Sequence, residues 1–372
     1  MIIPIIVTGI VVIIFILSLR YYRKGIKNPP YIEALNALLV GRKDEAIHHL
    51  KEAVRVDSEN IDAYIKLGDL LRDKGDYEKA LRIHQSLTVR KDLPRDKLRQ
   101  INLSLALDQI KKGNGVRAFI ILRGLIKENP KDRIPLDHLI RMIEEHDLYL
   151  EAIEFLKHDG RRLIDKRRQA IYHLKAGMMV MEKDRKTADD YFQKARRLAP
   201  DSPLLLHTLA DFDIQKEHFD DAVLKWQKVL SDYPDLLMIL KDRIENAYFE
   251  ANRFGEIEDL YESLFNKHQY NIPIALSLVK IYEKKGEREK LKGLLERMKE
   301  CWPDLLILRL IEINLHLEPG PAKDILNEVI KNNWWYFYQC AACGTRRKDF
   351  LWRCPSCGSW ECFRLSFPAL NP

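Results

Sequence analysis

Leu67-Gly68-Asp69-Leu70-Leu71-Arg72-Asp73-Lys74-Gly75-Asp76-Tyr77-Glu78-Lys79-Ala80 carries a helix–turn–helix pattern. Its last residue belongs to a series of small side chains. Ala46 precedes it, and Ala118, Ala152, Ala188 and Ala222 follow, at intervals of 34, 38, 34, 36 and 34 residues. Gly68 and Ala80 fall where two antiparallel helices cross, and larger side chains there would push the helices apart. Leu71, Leu87, Phe192, Trp226 and Tyr261 are spaced to fill the gap between successive pairs. Pro130, Pro200, Pro234 and Pro303 stand where the second helix of a pair must stop.

A period of about 34 residues built on helix pairs is that of the tetratricopeptide repeat. No single pair can bury its apolar face, so each depends on its neighbours. After Ala222 the marker weakens, with Ile257 and Leu291 at the small-residue positions. Helical periodicity nevertheless runs to about residue 331. Residues 31–333 are therefore read as an all-α solenoid of about eight to nine helix pairs. Such arrays present a concave surface, lined by the first helix of each pair, that binds a peptide or another protein.

Cys340-Ala-Ala-Cys343-Gly and Cys354-Pro-Ser-Cys357-Gly follow the array. Two Cys-x-x-Cys pairs ten residues apart have the spacing of a tetrathiolate metal site. Each pair turns both thiolates towards one ion, and the glycine after each second cysteine permits a left-handed backbone. Four sulfurs complete a tetrahedron and leave no position for substrate, so Cys340, Cys343, Cys354 and Cys357 are expected to hold one structural ion. Zinc and iron both accept this donor set, and cytosolic availability favours zinc. The competing reading is two disulfides. Cys301 and Cys362 lie outside the tetrad and are read as reduced thiols.

At the other end, Ile2 to Leu19 contains no charged side chain. As a helix it would extend roughly 27 Å, close to the hydrocarbon thickness of a bilayer. Tyr21 and Tyr22 follow as interfacial aromatics, with Arg20, Arg23, Lys24 and Lys27 on the same flank. The positive-inside rule then leaves the large C-terminal body in the cytoplasm. A cleaved signal peptide would carry its basic residues before the apolar run and a small-residue cleavage site after it. Neither is present. Residues 1–20 are thus expected to be an uncleaved transmembrane helix and 21–30 a basic juxtamembrane linker.

The formal charge of +7 includes those four juxtamembrane cations, which serve topology and anionic lipid equally well. The remaining cations are interspersed with acids, and bulk charge argues little for nucleic acid. No metalloprotease, serine hydrolase, phosphate-loop or dinucleotide motif occurs, and no catalytic residue is assigned. His48-His49 reads as a solvated doublet. His84 is unusual because its place in the second helix normally takes a large apolar residue; a satisfied, partly buried histidine is the expectation.

The tail, residues 334–372, is rich in aromatics: Trp334-Trp335-Tyr336-Phe337-Tyr338 leads into Cys340, and Phe350-Leu351-Trp352 precedes Cys354. A ribbon of about forty residues does not need that much aromatic surface for its own core. The excess is expected to pack on the last helices of the array or on a partner. Arg346, Arg347, Lys348 and Arg353 surround the tetrad, as the negative charge of a tetrathiolate around a divalent ion requires.

Anchor, repeat array and a rubredoxin-like ribbon, in that order, resemble the lipopolysaccharide assembly protein B family. The most specific stretches are Gly68-Asp69-Leu70-Leu71-Arg72 continuing to Arg82-Ile83-His84-Gln85-Ser86-Leu87, and the tail Leu351-Trp352-Arg353-Cys354-Pro355-Ser356-Cys357 with Trp360. The resemblance implies a non-enzymatic regulator of the bacterial inner membrane. It would help the membrane-anchored protease FtsH degrade LpxC, the deacetylase at the committed step of lipid A synthesis, or act on other lipopolysaccharide assembly proteins. It also implies a metal-binding ribbon packed on the repeats and an anchor required for function. The repeats after residue 130 are less family-like, so no partner-contacting residue is carried over. Two other readings stay open: a rubredoxin-type electron carrier on a scaffold, and an RNA-associated zinc ribbon.

Overall fold

A computed structural model describes residues 29–268, 271–303, 305–331 and 336–367. The transmembrane helix expected over residues 1–20 lies outside them, as do Trp334 and Trp335. Among the described residues no helix is long and apolar enough to cross a membrane. The chain divides into two compact units, one ending at Phe155 and the other beginning at Leu156.

The first unit holds α1 (Pro29–Leu39), α2 (Lys43–Val56), α3 (Ile61–Asp73), α4 (Tyr77–Thr88), α5 (Arg95–Lys111), α6 (Gly115–Glu128), α7 (Arg133–Glu145) and α8 (Tyr149–Phe155). The second opens with a π-helical turn, Leu156–Gly160. It continues through α9 (Lys166–Val180), α10 (Arg185–Leu198), α11 (Pro203–Gln215), α12 (Phe219–Asp232) and α13 (Leu237–Glu250). Next come α14 (Ile257–Lys267), α15 (Ile272–Lys285), α16 (Arg288–Cys301), α17 (Leu306–His316) and α18 (Pro321–Lys331). A three-stranded ribbon closes the chain: β1 (Phe337–Cys340), β2 (Arg346–Arg347) and β3 (Phe363–Ser366), in the order β2-β1-β3. Both strand pairs are antiparallel, with Tyr338 opposite Arg347 and Cys340 opposite Phe363. The described residues thus form an all-helical tetratricopeptide-repeat architecture ending in a small ribbon.

The alanine series marks the buried helix crossings. Ala46, Ala80, Ala118, Ala152 and Ala222 are fully buried and Ala188 is nearly so. Close packing also explains the glycines of the first helices. A Cβ on Gly68 would stand 2.4 Å from the His84 ring, and one on Gly177 would stand 2.6 Å from the Phe192 ring. His84 and Phe192 therefore play the same part in different pairs, each packed closely against a glycine of its partner helix.

A second recurring device is the turn inside seven of the nine helix pairs among the described residues. Gly41, Gly75, Gly113, Asp147, Glu217, Asn252 and Gly286 all have φ between 52° and 92°. In each case the next residue's N–H bonds back five residues, for example Asp76 to Leu71 at 2.8 Å and Arg253 to Tyr248 at 2.8 Å. This is the Schellman closure, which satisfies orphan carbonyls at a helix end and reverses the chain. It persists at Asn252 and Gly286, where the alanine marker has already failed.

His84 is fully buried, deeper than the sequence suggests. Its Nδ1 lies 2.6 Å from Oδ2 of Asp108 and its Nε2 lies 3.2 Å from the Ile65 carbonyl. Asp108 also accepts from Arg72 at 3.0 Å, and Arg72 reaches Asp69 at 2.7 Å. Ser104 donates to the same Asp69 oxygen at 2.9 Å. A partnered polar network therefore replaces one apolar layer between α3, α4 and α5, which avoids the cost of stranded buried charge.

Candidate functional site

The cysteine pairs sit on two matching knuckles. In the first, the Cys340 N–H donates to the Thr345 carbonyl at 2.9 Å and the Gly344 N–H to the Cys340 carbonyl at 2.8 Å. In the second, Cys354 donates to Ser359 at 2.8 Å and Gly358 to Cys354 at 2.9 Å. Gly344 and Gly358 adopt φ of 76° and 71°, the left-handed region that the sequence assigned to them. One pair starts from the end of β1 and the other from the loop before β3, so the short sheet sets their separation.

The four sulfurs Cys340, Cys343, Cys354 and Cys357 all lie within 4.8 Å of one another. Across the two knuckles, Cys340 to Cys357 and Cys343 to Cys354 each measure 3.7 Å. Cys340 and Cys354 are buried while Cys343 and Cys357 face solvent. The Ser359 hydroxyl, 3.3 Å from the Cys357 sulfur, pulls that thiol down to about 6. Burial pushes the Cys340 thiol the other way. Four sulfur donors converging on one point, one of them readily ionised, fit a tetrahedral ion such as zinc or iron.

Cys362 lies outside the tetrad, as the spacing implied, and packs beside it. It is buried, and its sulfur stands 3.4 Å from Cys340 and 3.2 Å from the Ser359 carbonyl. It is a buried neighbour of the tetrad. The only signal in the sequence was its position just before a short β-prone run. Cys301 closes α16 and is half-buried.

The basic residues around the tetrad are partly engaged with aromatics and backbone. The Arg346 guanidinium lies 4.9 Å from the Phe337 ring centroid, and Lys348 donates to the Tyr336 carbonyl at 3.2 Å.

The ribbon is fastened to the helices before it at several points, with Glu361 at their centre. Glu361 is buried, with φ of 52°, a conformation that a non-glycine residue adopts only at a cost. Its carboxylate accepts from the Leu204 N–H at 3.0 Å, from the Ser202 hydroxyl and from the Arg167 guanidinium. Ser202 is the N-cap of α11, so the carboxylate meets the positive end of that helix. Arg167 also holds the Tyr233 hydroxyl at 3.0 Å, and Arg168 donates to the Gly358 carbonyl at 3.1 Å. Trp352 stacks on His207, with centroids 5.6 Å apart and planes 25° apart. Tyr338 and Phe363 share a buried core with Trp226, Leu236 and Tyr261. The polar fastenings fall on α9, α11 and the loop after α12, while the ribbon's buried aromatics share one apolar cluster with residues of the last helices, Ile307 and Ile311 among them. At the α11 N-terminus Ser202 caps Leu205, and the Leu204 N–H is left for the Glu361 carboxylate, with Arg167 and Arg168 beside it.

Comparison with known proteins agrees with both halves of this geometry. A family model described as a rubredoxin metal binding domain matches residues 338–364, and a tetratricopeptide repeat model matches 61–83. Lipopolysaccharide assembly protein B of Escherichia coli (strain K12) is 22% identical over 343 residues, covering 89% of this chain and 87% of that protein. The Haemophilus influenzae protein of the same name is 24% identical over 358 residues, covering 89% and 88%. Among solved structures, YrrB, a tetratricopeptide-repeat protein with an unusual peptide-binding site, is 18% identical. It covers 50% of this chain and 96% of its own, with a TM-score of 0.35. Yeast Tom70 covers 84% of this chain and 79% of its own at 13% identity, with a TM-score of 0.33. The resemblance to the lipopolysaccharide assembly protein B family runs from the repeats through the ribbon.

Proposed function

We propose that this relative of lipopolysaccharide assembly protein B is a non-enzymatic, membrane-anchored adaptor that regulates lipopolysaccharide assembly. The observation that carries the proposal is similarity over 89% of the chain to proteins of that name, extending through the ribbon. Residues 1–20 anchor the chain in the bacterial inner membrane, 21–30 link it, 31–333 form the repeat solenoid and 334–372 the ribbon. The body faces the cytoplasm, where cysteines stay reduced. Cys340, Cys343, Cys354 and Cys357 bind one zinc ion, which supplies folding energy to the ribbon and no chemistry of its own.

In this reading the repeats hold protein partners, and the finer assignment is a protease–substrate pair of the FtsH and LpxC kind. Anchoring raises the effective concentration of such partners at the membrane. Partner recovery from detergent-solubilised membranes tests it. A membrane protease and a lipid A deacetylase in the eluate would support the assignment; RNA or a redox enzyme alone would sink it. A reporter fused after Pro372 must be active in its cytoplasmic form, since periplasmic activity would reverse the topology. The four-sulfur site also favours a second reading, electron transfer. Purified protein holding iron with a reversible potential would support that one.

A further inference from the structure

Five sulfurs rather than four crowd the end of the ribbon. Cys340 to Cys357 and Cys343 to Cys354 each span 3.7 Å across the knuckles. That is the edge of a thiolate tetrahedron, about 3.8 Å for metal–sulfur bonds of about 2.3 Å. Cys362 stands outside the tetrahedron, yet its sulfur comes closer to Cys340 still, at 3.4 Å. Both partners of this contact are buried, whereas Cys343 and Cys357 face solvent.

The backbone sets the pair for a covalent bond. Cys340 ends β1 opposite Phe363, the first residue of β3, and the Ala341 N–H donates to the Cys362 carbonyl at 2.8 Å. The two cysteines therefore sit on neighbouring rungs where β1 meets β3. A disulfide is about 2.05 Å long, so their sulfurs need to close by about 1.4 Å. The Cys362 thiol lies 3.2 Å from the Ser359 carbonyl, but that carbonyl also accepts the Cys354 N–H at 2.8 Å. Losing the S–H strands no acceptor. The bond would consume one metal ligand and tie β1 directly to β3. The ion makes that connection only through Cys354 and Cys357, in the loop before β3.

We propose that Cys362 is the resolving thiol of a redox switch, forming a disulfide with Cys340 that replaces the ion as the staple between β1 and β3. The oxidant is a hydroperoxide, of which hydrogen peroxide is the simplest, and it meets a solvent-facing sulfur first. Cys357 gives up two electrons and becomes a sulfenic acid, and one water leaves. Its oxidation removes a metal donor, and the site opens. The Cys340 thiol, 3.7 Å away, attacks the sulfenic sulfur and expels a second water, leaving a Cys340–Cys357 disulfide. Cys362 then attacks the Cys340 sulfur, and Cys357 departs as a thiol carrying the proton that Cys362 gave up. In sum, two thiols and one peroxide give one disulfide and two waters. Exchange ends at the buried pair because the uncharged disulfide then lies inside and Cys357 returns to water. In a reducing compartment the switch stays off until peroxide is present. The inference is independent of the adaptor reading and needs only the four-sulfur site of the ribbon.

The test is disulfide mapping of the full-length, metal-loaded chain in detergent. The protein is treated with hydrogen peroxide, alkylated at intervals, digested and read by mass spectrometry. The Cys340–Cys357 cross-link should appear first and give way to Cys340–Cys362, with Cys357 recovered as a free thiol. Elemental analysis of the desalted protein should show metal leaving with the first cross-link. Hydrogen exchange across β1 and β3 should then be about tenfold slower, or more, than in the chelator-stripped, reduced chain. Dithiothreitol followed by zinc should restore the metal content. In Cys362→Ala the Cys340–Cys357 cross-link should persist, and Cys362→Val gives the same readout if alanine loosens the ribbon. A stable Cys340–Cys357 or Cys343–Cys354 cross-link as the wild-type end product overturns the proposal. So does sulfonic acid at Cys357 with Cys362 still free, or exchange as fast in the oxidised chain as in the stripped one. Each of these would leave Cys362 as apolar filler.

Discussion

Glu361 accepts the backbone N–H of Leu204 at 3.0 Å, tying the ribbon to the first turn of a helix 157 residues earlier in the chain. With Arg167 and Ser202 on the same carboxylate, one side chain closes a helix cap and an ion pair together. Burial would lower the Arg167 pKa, yet its hydrogen bond and charge contact with Glu361 raise it instead.

Glu361→Gln should therefore undock the ribbon without emptying its metal site. The neutral amide keeps the shape but removes the charge that faces Arg167 and the α11 N-terminus. Because the Arg167 side chain is 38% exposed, water offsets part of the loss. A cost of about 2–3 kcal/mol is expected. Hydrogen exchange should rise across residues 336–367 while metal content stays whole. Loss of metal in this variant would show that docking and metal binding are one event.

The cysteines give a complementary set of outcomes. Cys343→Ser and Cys357→Ser should each release the ion and unfold the ribbon, because binding energy on the order of 10 kcal/mol is mostly folding energy in so small a module. Cys362→Ala should keep the ion, since a tetrahedral site is already full. Its contact with Cys340 predicts faster loss to a chelator than in the wild type. Far-ultraviolet circular dichroism should retain the repeat helices in all three. Metal analysis decides the ligand set: full retention in Cys343→Ser, or loss in Cys362→Ala, would mean that a different four sulfurs bind.

The repeats were legible because close packing imposes a residue type. Ala46, Ala80, Ala118, Ala152, Ala188 and Ala222 cannot grow without parting two helices, so their spacing survives in one sequence. After Ala222 the packing uses larger residues, and the surviving device is a backbone one. Asp147, Glu217 and Asn252 take the left-handed turn position that glycine fills elsewhere, and their side chains do not announce it. The thiolate tetrad was legible for the opposite reason, since the chemistry fixes both residue type and spacing. Glu361 left no such mark. A single glutamate gains meaning only when the fold brings α9 and α11 against it, and no local pattern encodes that meeting. His84 stood out as an anomaly, but its partner Asp108 lies on another helix 24 residues away and could not be paired with it beforehand.

Gly68→Ala and Gly177→Ala form a matched pair of overpacking variants. Each inserts a methyl against a ring, at 2.4 Å from His84 and 2.6 Å from Phe192. The His84 ring is held on both sides by Asp108 and Ile65 and cannot give way without breaking those bonds. Phe192 is held by apolar packing alone, on Phe212 at 5.3 Å and on the aliphatic side chains of its cluster, and can shift. Gly68→Ala should cost about 3 kcal/mol and Gly177→Ala about 1–2, after the helix-propensity gain of alanine. Urea melts of the two variants would measure the difference, and equal losses would remove His84 from the explanation.

Acid should destabilise the second unit through His173. Burial first, and then the charge of Lys194, lower its pKa to about 4, and its Nδ1 has no hydrogen-bond partner among the described residues. An unfolded chain takes up a proton at this histidine near its ordinary value of 6.5, whereas the folded chain resists until about pH 4. The unfolded state therefore binds more protons in that interval, and stability falls as pH drops from 6.5 to about 4. Discounted for the partial exposure of the ring, the loss at the acid end is about 2 kcal/mol. Carboxylates that protonate below pH 5 add their own slope, so the comparison is with His173→Phe, which keeps the ring contact with Tyr191. That variant should show a shallower decline in melting temperature between pH 6.5 and 4. Parallel curves for the two proteins would show that His173 is protonated as readily in the fold as out of it.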